Sequence, residues 1–588
     1  MKKGTSWFSI IAPPLALVAI AAALSAWIID SPLFLDDYTL LNKAGQAQNR
    51  LGWTLVNLYN FTHKPPPSNN WLAWWSAPTV SLHYIRPLSS LLFWLEYRAF
   101  GWNATGYHLL NLVFYLLNGL LLYRLALTVS GSRLGAFVAG AAFLAHPAHL
   151  TNVQWVANRP DLVCGAFLLA GLTSVSHAMT GRVPRYRTLA PPLLLLILAT
   201  LSKEAGMLGA VGYLLWLWAA APESGRRRRW GLILVLASIL TAAGFWFCFR
   251  SLGGGVTSEY YLPAISSGWE LAKTMGTGFL LSMGSLLFFM TANESQKASL
   301  FTDHLWPVIG FIAAGLLLVC AAIWLLRRDR FALAAVIIFG VWMGPSLMFW
   351  TGERLLLIPS LMLAFISGQL AVRISRWQPS WPAASGAVLG LFLVWQIAAP
   401  QTVLMLRLSE REEQISQTHE LLIEQLRAVL DKSQPPEAMF FLTLPSGLSL
   451  LSLTDVLRTE LNMPELRTYS LGAFAASPSL AINREDQMTL IAPQGQPFFA
   501  TREERIFLTG EESVHPLRLF RSADFTARIT DMPHKYPLSM QFTFKRPMTD
   551  HAYAFFMVDQ HGILLRIKPR PFGRQPPATQ PGTPFVVP

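Results

Sequence analysis

The sequence predicts an all-helical polytopic membrane domain, followed by a smaller α+β domain outside the membrane. Two observations support this fold class. The 588 residues are 53% hydrophobic and only 13% charged, whereas soluble chains carry about 25% charged residues. The hydrophobic residues also fall into runs whose lengths approach the roughly 20 residues that a helix needs to cross a bilayer. The runs end near residue 400, and shorter alternating segments follow.

Eleven apolar runs predict about eleven transmembrane helices. They cover residues 7–29, 106–127, 134–149, 160–178, 189–200, 205–221, 231–249, 305–326, 331–350, 355–372 and 384–400. The first run also resembles a signal peptide, but no small-residue cleavage site follows it, which favours an uncleaved span. A further apolar segment, 269–291, is predicted to be a re-entrant or interfacial helix, because a crossing there would move the next basic loop to the external side.

The basic residues indicate a membrane topology rather than a nucleic-acid partner. The first 400 residues carry 27 basic and 13 acidic side chains, whereas the remainder is nearly neutral. The basic residues cluster in alternate loops between the apolar runs, as the positive-inside rule requires of cytoplasmic loops. We therefore expect a cytoplasmic N terminus, an external C terminus and no binding of nucleic acid.

The chain divides into three predicted regions. Residues 1–400 form the membrane domain, in which 30–105 is a long first external loop. Residues 401–568 form the extracytoplasmic α+β domain, which begins with an amphipathic helix. Its short alternating segments are typical of strands, and the last of them predicts a β-hairpin that turns at Gln560–Gly562. The Pro-rich tail, 569–588, has a composition that is typical of disorder.

Five groups of ionisable residues lie beside apolar runs, all on the predicted external side. They are Asp36 and Asp37 in "FLDDY", Arg86 in "YIRPLSS", His146, His149, Arg159 and Asp161 in "HPAHLTNVQWVANRPD", Lys203 and Glu204 in "SKE", and Glu353 and Arg354 in "GERLLLIPS". Ionisable groups at membrane depth are costly and therefore indicate function. A cavity lined by these groups suits a reaction between an acidic, membrane-held substrate and a polar acceptor.

Each group also has an ordinary structural interpretation. The Asp pair can cap the helix that follows it, and the His-Pro pair can end one. The Arg and Asp of "NRPD" can be an interfacial anchor and a first-turn acid, and the Lys-Glu pair can form a connecting turn. The Glu-Arg pair can be a surface ion pair, which contributes little. Their common location on one side of the membrane favours a shared site.

The order of these segments, together with "YIRPLSSLLFWLEYRAFGWNATGYHLLNLVFYLLNGLLLY", resembles the C-type glycosyltransferases. It is similar in particular to the transmembrane O-mannosyltransferases with C-terminal tetratricopeptide repeats and to their bacterial relatives. The resemblance covers roughly residues 30–372. It implies a GT-C-like fold and an enzyme that moves mannose or another hexose from a polyprenyl-phosphate carrier to a protein, lipid or glycan acceptor. The expected location is the bacterial inner membrane, with the active site facing the periplasm or exterior.

The resemblance also implies roles for the ionisable residues. In this family an acidic residue of the first external loop is the catalytic base, which indicates Asp37 or Asp36, and Asp37 is favoured because it precedes the aromatic residue. Such a carboxylate accepts the proton that the acceptor hydroxyl loses. The leaving lipid phosphate needs cations nearby. The predicted donor- and phosphate-binding residues are Arg86, His146, His149, Arg159, Asp161, Lys203, Glu204, Glu353 and Arg354. No metal-ligand spacing is present, and the only expected cofactor-like group is the carrier-linked sugar itself.

The sequence departs from the family pattern in two places. Relatives often have a Glu shortly after the His-Pro pair, where this chain has Thr151 and Asn152, so a second carboxylate is either absent or supplied by Glu204. The C-terminal region lacks 34-residue helical repeats. Two alternatives therefore stay open: a transporter or flippase for a lipid-linked saccharide, for which no inverted repeat is found, and a non-catalytic envelope scaffold acting through 401–588.

Overall fold

The computed structural model of the chain contains two compact units. The residues that it describes are 7–33, 36–46, 50–62, 73–180, 186–220, 225–258, 267–288, 310, 317, 320, 323–348, 353–377, 421–430, 435–444, 448–474, 477–499, 504–508, 514–558 and 563–568. The first unit takes Met1–Asn60, Leu82–Val256 and Tyr261–Glu413, and the second unit takes Phe61–Ser81, Thr257–Tyr260 and Gln414–Pro588.

The first unit is helical. Its α-helices are Trp7–Ser25, Asp36–Gln46, Leu51–Asn57, Pro87–Phe100, Ala104–Ser130, Arg133–Leu144, Leu150–Gln154, Arg159–Thr180, Tyr186–Ser202, Gly209–Ala220, Gly225–Ser251, Gly268–Phe288, Arg330–Trp342, Gly344–Met348 and Leu357–Trp377. Its 3₁₀ helices are Ala26–Asp30, Pro147–His149, Val156–Asn158, Glu204–Leu208 and Glu353–Leu356. Two short strands, β1 (Leu82–His83) and β2 (Gly255–Val256), pair antiparallel. The apolar runs within the described part are thus helical, with ends close to those predicted.

Among the described residues, five helical segments are long and apolar enough to cross a membrane. They are Ile11–Asp30, Ala104–Ser130, Val156–Met179, Arg228–Ser251 and Glu353–Arg376. A sixth arises if Arg133–Leu144 and Pro147–Gln154, which meet at a bend of 53°, form one broken span. Three further apolar helices are shorter than a full crossing: Thr188–Ser202, Glu204–Ala220 and Arg330–Trp342.

The prediction of eleven spans is not confirmed. The runs 189–200 and 205–221 give α-helices of 17 and 12 residues, shorter than the roughly 20 residues of a crossing. The run 331–350 is divided after Trp342 into two helices. The runs 305–326 and 384–400 lie largely or wholly outside the described residues. Of the segment 269–291, residues 269–288 lie in the helix Gly268–Phe288, and the re-entrant or interfacial position of this helix stays a prediction.

Close helix packing positions the polar segments of the first unit. Helices Arg133–Leu144 and Leu357–Trp377 approach each other at Gly135 and Gly368, where a Cβ on Gly368 would collide with the Gly135 carbonyl oxygen. Small residues allow such close approach in membrane helices. Because the His-Pro segment follows the first of these helices and Arg354 precedes the second, their contact holds both polar segments near one end of the pair.

The second unit is α+β, as predicted for the C-terminal region. Its helices are 421–429 and Leu448–Glu460, with a 3₁₀ turn at Glu504–Phe507. Its strands are β3 (Ala438–Phe441), β4 (Arg467–Ser470), β5 (Ser479–Arg484), β6 (Gln487–Ile491), β7 (Leu519–Arg521), β8 (Phe525–Asp531), β9 (Ser539–Phe544), β10 (Tyr553–Val558) and β11 (Leu564–Ile567).

The strands of the second unit form two sheets. The mixed sheet has the order β11-β10-β3-β4, with β10, β3 and β4 parallel and β11 antiparallel to β10. The other sheet, β5-β6-β9-β8-β7, is antiparallel throughout. The β10–β11 pair confirms the predicted hairpin, although its turn at Gln560–Gly562 and the tail 569–588 lie outside the described residues.

A short piece of the predicted first external loop belongs to the second unit. The indole nitrogens of Trp74 and Trp75 donate hydrogen bonds to the carbonyl oxygens of Ser470 (2.7 Å) and Glu504 (2.9 Å). The Trp74 ring lies edge-on to four phenylalanine rings, with centroids 5.4 to 5.7 Å away: Phe499, Phe520, Phe525 and Phe542. The hydrophobic core of the second unit therefore includes residues that precede the C-terminal region by several hundred positions.

Candidate active site

The two adjacent aspartates begin a helix and have different surroundings. Asp36 and Asp37 occupy the first turn of helix Asp36–Gln46, where the helix dipole stabilises negative charge. Neighbouring helical side chains point about 100° apart. Asp37 is fully buried, and its Oδ1 accepts a hydrogen bond of 2.7 Å from the Ala157 backbone N–H. Asp36 is only half-buried. Asp37 thus joins its helix to the segment 156–158, while Asp36 keeps an accessible carboxyl.

Two cations act on the Asp36 carboxyl. Burial raises the pKa of Asp36, and the positive charges of Arg354 and Lys43 lower it, with a net pKa above the usual aspartate value. Lys43 is itself buried, and its Nζ donates to the carbonyl oxygens of Leu58 and Asn60. The result is a carboxylate that is more basic than a solvated one and that lies in a positive environment.

Arg354 lies in the 3₁₀ helix Glu353–Leu356, and both it and the adjacent Glu353 are half-buried. Its guanidinium carbon is 5.0 Å from the centroid of the Trp155 ring, a cation–π contact. Its carbonyl oxygen accepts a hydrogen bond of 2.9 Å from Nδ2 of the buried Asn152. Asn152, which stands near the position where the family often has Glu, therefore helps to position the backbone of Arg354.

Arg86 forms a fork-shaped ion pair with Glu204. Pro87 occupies the first position of the helix that follows Arg86, where its missing N–H is tolerated. The Arg86 Nε and Nη2 atoms each donate to a different Glu204 carboxylate oxygen at 3.0 Å. The rings of Tyr59 and Tyr84 lie 5.1 and 4.7 Å from the guanidinium carbon. Burial lowers the pKa of Arg86, whereas Glu204, Tyr59 and Tyr84 together raise it; the net pKa lies above the usual arginine value, so this side chain stays a cation.

Lys203 and Asp161 form a second ion pair. Lys203 follows helix Tyr186–Ser202, and Asp161 lies in the first turn of helix Arg159–Thr180. The Lys203 Nζ donates to the Asp161 Oδ1 at 2.5 Å, and the Asp161 side chain is almost fully buried. This ion pair connects the end of the first of these helices to the start of the second.

Arg159 is held inside the helical core rather than at a surface. It is 1% exposed and forms an ion pair with the buried Glu96. It also donates from Nε to Asn111 Oδ1 at 2.6 Å and from Nη2 to the Tyr107 carbonyl oxygen at 2.9 Å. Sequence reasoning missed Glu96, although an acidic residue within the apolar stretch "LLFWLEY" is a signal of the kind that identified the other groups.

The two histidines contact the helices on either side of them. The His146 Nδ1 accepts from the Ala148 N–H at 3.2 Å, so its Nε2 carries the proton and donates to the Leu286 carbonyl oxygen at 2.9 Å. The His149 Nδ1 lies 3.0 Å from the Phe143 carbonyl oxygen, and its Nε2 lies 2.7 Å from the Ser360 Oγ. Both rings are buried, and these contacts fix the bent segment between helices Arg133–Leu144 and Leu150–Gln154.

The structure thus separates the predicted site residues by the kind of contact that they make. Asp36 and Arg354 are half-buried and electrostatically coupled, and Arg86 pairs with Glu204 beside two tyrosines. The remaining predicted residues, apart from Glu353, are buried in helix contacts: Asp37, His146, His149, Arg159, Asp161 and, through its ion pair, Lys203. Within the described residues, no group of three or more His, Cys, Asp or Glu side chains is placed to hold a metal ion.

Sequence comparison connects the chain to a group of known enzymes. It is 35% identical over 137 residues to the protein O-mannosyl-transferase Tmtc1 of Drosophila melanogaster, a match that covers 23% of this chain and 16% of that protein. It is 30% identical over 131 residues to the protein O-mannosyl-transferase F38B6.6 of Caenorhabditis elegans, covering 21% and 17%. Over about a fifth of its length, this chain is similar to protein O-mannosyl-transferases. The resemblance that its motifs indicated is confirmed, and the match spans about one sixth of the length of these relatives.

No family model matches the chain. Among solved structures, ArnT from Cupriavidus metallidurans bound to undecaprenyl phosphate is 12% identical, with a TM-score of 0.43 and coverage of 79% of this chain and 90% of that chain. The oligosaccharyltransferase AglB from Archaeoglobus fulgidus is also 12% identical, with a TM-score of 0.42 and coverage of 77% and 64%.

Proposed function

We propose that this chain is an integral-membrane glycosyltransferase that moves a sugar from a polyprenyl-phosphate carrier to an acceptor hydroxyl. The observation that carries the proposal is the half-buried Asp36 carboxyl under the influence of the Arg354 cation. A base and a phosphate-binding cation are the two groups that such a transfer needs. The relationship to the protein O-mannosyl-transferases supports a glycosyltransferase, with mannose as the first sugar to test.

The proposed reaction is a single displacement. The acceptor oxygen attacks the anomeric carbon, the bond from that carbon to the phosphate oxygen breaks, and the electron pair leaves with the lipid phosphate. The Asp36 carboxylate takes the proton of the acceptor hydroxyl as the new bond forms. Arg354 offsets the charge that grows on the departing phosphate. One displacement without a covalent enzyme intermediate inverts the anomeric configuration.

We propose Asp36 as the base, although the resemblance to the family favours Asp37, the aspartate that directly precedes the aromatic residue. The Asp37 carboxylate is fully buried and accepts a hydrogen bond from the Ala157 N–H, so it is less accessible to an acceptor hydroxyl than the Asp36 carboxyl is. Asp36 is only half-buried and has a raised pKa. A raised pKa makes a carboxylate a stronger base, provided that the working pH lies above that pKa.

Arg86 is the proposed second contact to the donor phosphate. A guanidinium has five N–H donors, and the Glu204 carboxylate occupies those of Nε and one of Nη2. Within the described residues the Nη1 donors have no hydrogen-bond partner, and in this proposal they bind a phosphate oxygen. In this proposal Glu204 holds the Arg86 guanidinium in the orientation that binds the phosphate. Glu204 does not act as a second base. Lys203, Asp161, Arg159 and both histidines act in this proposal as supports of the helices around the site.

The proposed orientation places the site on the non-cytoplasmic face of a bacterial inner membrane. Its support is the distribution of basic residues in alternate loops. A reporter enzyme fused at Arg228 should be cytoplasmic, and one fused just before residue 414, where the C-terminal segment of the second unit begins, should be external. Reporters on the same side of the membrane would contradict the orientation.

Reconstitution with a defined donor tests the proposal. The purified chain in liposomes that contain polyprenyl-phosphate mannose should release polyprenyl phosphate. It should also mannosylate peptides or glycans taken from the source organism.

Arg354→Lys keeps the charge but loses the fork of the guanidinium, so it should retain part of the turnover, and Arg354→Ala should retain less. The exposed Arg546, on the second unit, provides an Arg→Ala control. Translocation of the carrier without transfer would favour a flippase, and binding without either would favour a scaffold.

A further inference from the structure

The buried hydroxyl of Tyr59 has no hydrogen-bond partner among the described residues. The residue is 2% exposed, and its Oη accepts or donates no hydrogen bond within the described part of the chain. A buried polar group in that condition is destabilising, because it has lost its hydrogen bonds to water and gained none in the protein. Native proteins contain few such groups, and each needs an explanation, which a bound ligand can supply.

The backbone around Tyr59 is fixed on three sides. Its own carbonyl oxygen accepts a hydrogen bond of 3.1 Å from the Tyr84 N–H. The carbonyl oxygens on either side of it, those of Leu58 and Asn60, both accept from the buried Lys43 ammonium. The Tyr59 ring also meets the Phe93 ring edge-on, with centroids 6.2 Å apart. The hydroxyl therefore has a defined position, as expected of a group that must meet a ligand in one orientation.

The surroundings of the hydroxyl are charged. Burial raises the pKa of Tyr59; the cations Arg86 and Arg159 lower it, and the carboxylates Asp37 and Glu204 raise it. The net result is a phenol that stays protonated and is therefore a hydrogen-bond donor at any physiological pH. The Arg86 guanidinium carbon lies 5.1 Å from the centroid of the Tyr59 ring, so the two side chains are direct neighbours.

We propose that Tyr59 is a phosphate ligand, whose hydroxyl donates a hydrogen bond to an oxygen of the lipid-carrier phosphate that Arg86 also binds. This inference rests on the proposed function and adds a residue to its donor site. No bond is made or broken by Tyr59: its role is to hold the phosphate oxygen in place before and during the departure of the sugar. An uncharged donor beside a guanidinium adds direction to the binding of an anion.

The test measures the binding of a sugar-free polyprenyl monophosphate to the full chain in lipid nanodiscs. Tyr59→Phe removes only the hydroxyl, so its affinity should fall about 10–100-fold, the usual range for a lost hydrogen bond to a charged group. The melting temperature should not fall, because no protein partner is lost. Tyr213→Phe is the matched control: its buried hydroxyl donates to the Pro192 carbonyl oxygen at 2.8 Å, so it should lower stability and leave the affinity unchanged.

The outcomes separate the inference from the proposed function. A wild-type chain that does not bind polyprenyl monophosphate would overturn both. A wild-type chain that binds it, with equal affinity in Tyr59→Phe, would overturn the inference alone. The inference alone would also be overturned if Tyr59→Phe lowers the melting temperature as much as Tyr213→Phe does. That result would indicate that the Tyr59 hydroxyl binds a structural water molecule. Polyprenol without phosphate is the last probe: an equal loss of its affinity in Tyr59→Phe would assign the hydroxyl to the lipid chain and overturn the phosphate contact.

Discussion

Replacing Trp74 with Ala should destabilise the second unit by at least about 3 kcal/mol. The side chain is 9% exposed and packs against four phenylalanine rings at 5.4 to 5.7 Å. Truncation of a buried Trp to Ala costs about 3–5 kcal/mol because of the lost contacts and the cavity. The lost hydrogen bond from the indole to the Ser470 carbonyl oxygen adds about 1 kcal/mol. A typical domain has about 5–15 kcal/mol in total, so this one substitution removes a large share.

Hydrogen exchange of the full chain in detergent measures this effect locally. The amides of β8 and β9, which carry Phe525 and Phe542, should exchange at least about 100-fold faster in Trp74→Ala, because their protection follows the opening free energy. Trp74→Phe keeps most of the ring packing and loses the indole N–H, so it should have a smaller effect. Trp269→Ala is the control, because it removes a Trp that is 78% exposed. It should change the opening free energy of these strands by less than about 0.5 kcal/mol.

A single result would refute this reasoning. If β8 and β9 exchange at the wild-type rate in Trp74→Ala, then Trp74 does not belong to the core of the second unit. The segment 73–81 would then be an ordinary part of the first external loop, as its position in the sequence suggests.

Three further substitutions test other contacts. Glu96→Ala leaves the Arg159 cation buried and unpaired, so thermal unfolding should report a loss of about 3–5 kcal/mol; an unchanged melting temperature would contradict the buried ion pair. Arg354→Gln removes a charge that lowers the pKa of Asp36, so the acid limb of kcat/KM, where activity falls as Asp36 is protonated, should move to higher pH; an unmoved limb would exclude Asp36 as the titrating base. Asn152→Ala removes the hydrogen bond to the Arg354 carbonyl oxygen and should weaken carrier binding more than it lowers the melting temperature, and equal carrier affinity would show that Asn152 does not position Arg354.

The helices were predictable because their signal is local. The length and the ends of an apolar run predict those of the helix that it forms. The observed helix Ala104–Ser130, for example, differs from the predicted run 106–127 by only a few residues. The number of spans was not predictable in the same way. The run 331–350 reads as continuous, but the helix is interrupted between Trp342 and Gly344, beside Pro345, and a short apolar helix does not reveal whether it crosses a bilayer.

The partners of the site residues were not predictable, since each is distant in sequence. Arg86 and Glu204 are 118 positions apart, and Asn152 contacts a carbonyl oxygen 202 positions away. The sequence also could not distinguish Asp36 from Asp37, because their difference in burial depends on where the segment 156–158 packs. Tyr59 gave no signal at all: a Tyr in a loop is common, and its importance comes from a hydroxyl without a partner.

The turnover of two single variants tests the central claim most directly. Transfer from polyprenyl-phosphate mannose should fall about 10²–10⁴-fold in Asp36→Asn, because the amide cannot take the acceptor proton, while carrier affinity and melting temperature stay near the wild-type values. Asp37→Asn keeps an oxygen that can accept from the Ala157 N–H, so it should retain most of the turnover. Full activity in Asp36→Asn, or a loss confined to Asp37→Asn, would contradict the assignment of Asp36 as the base.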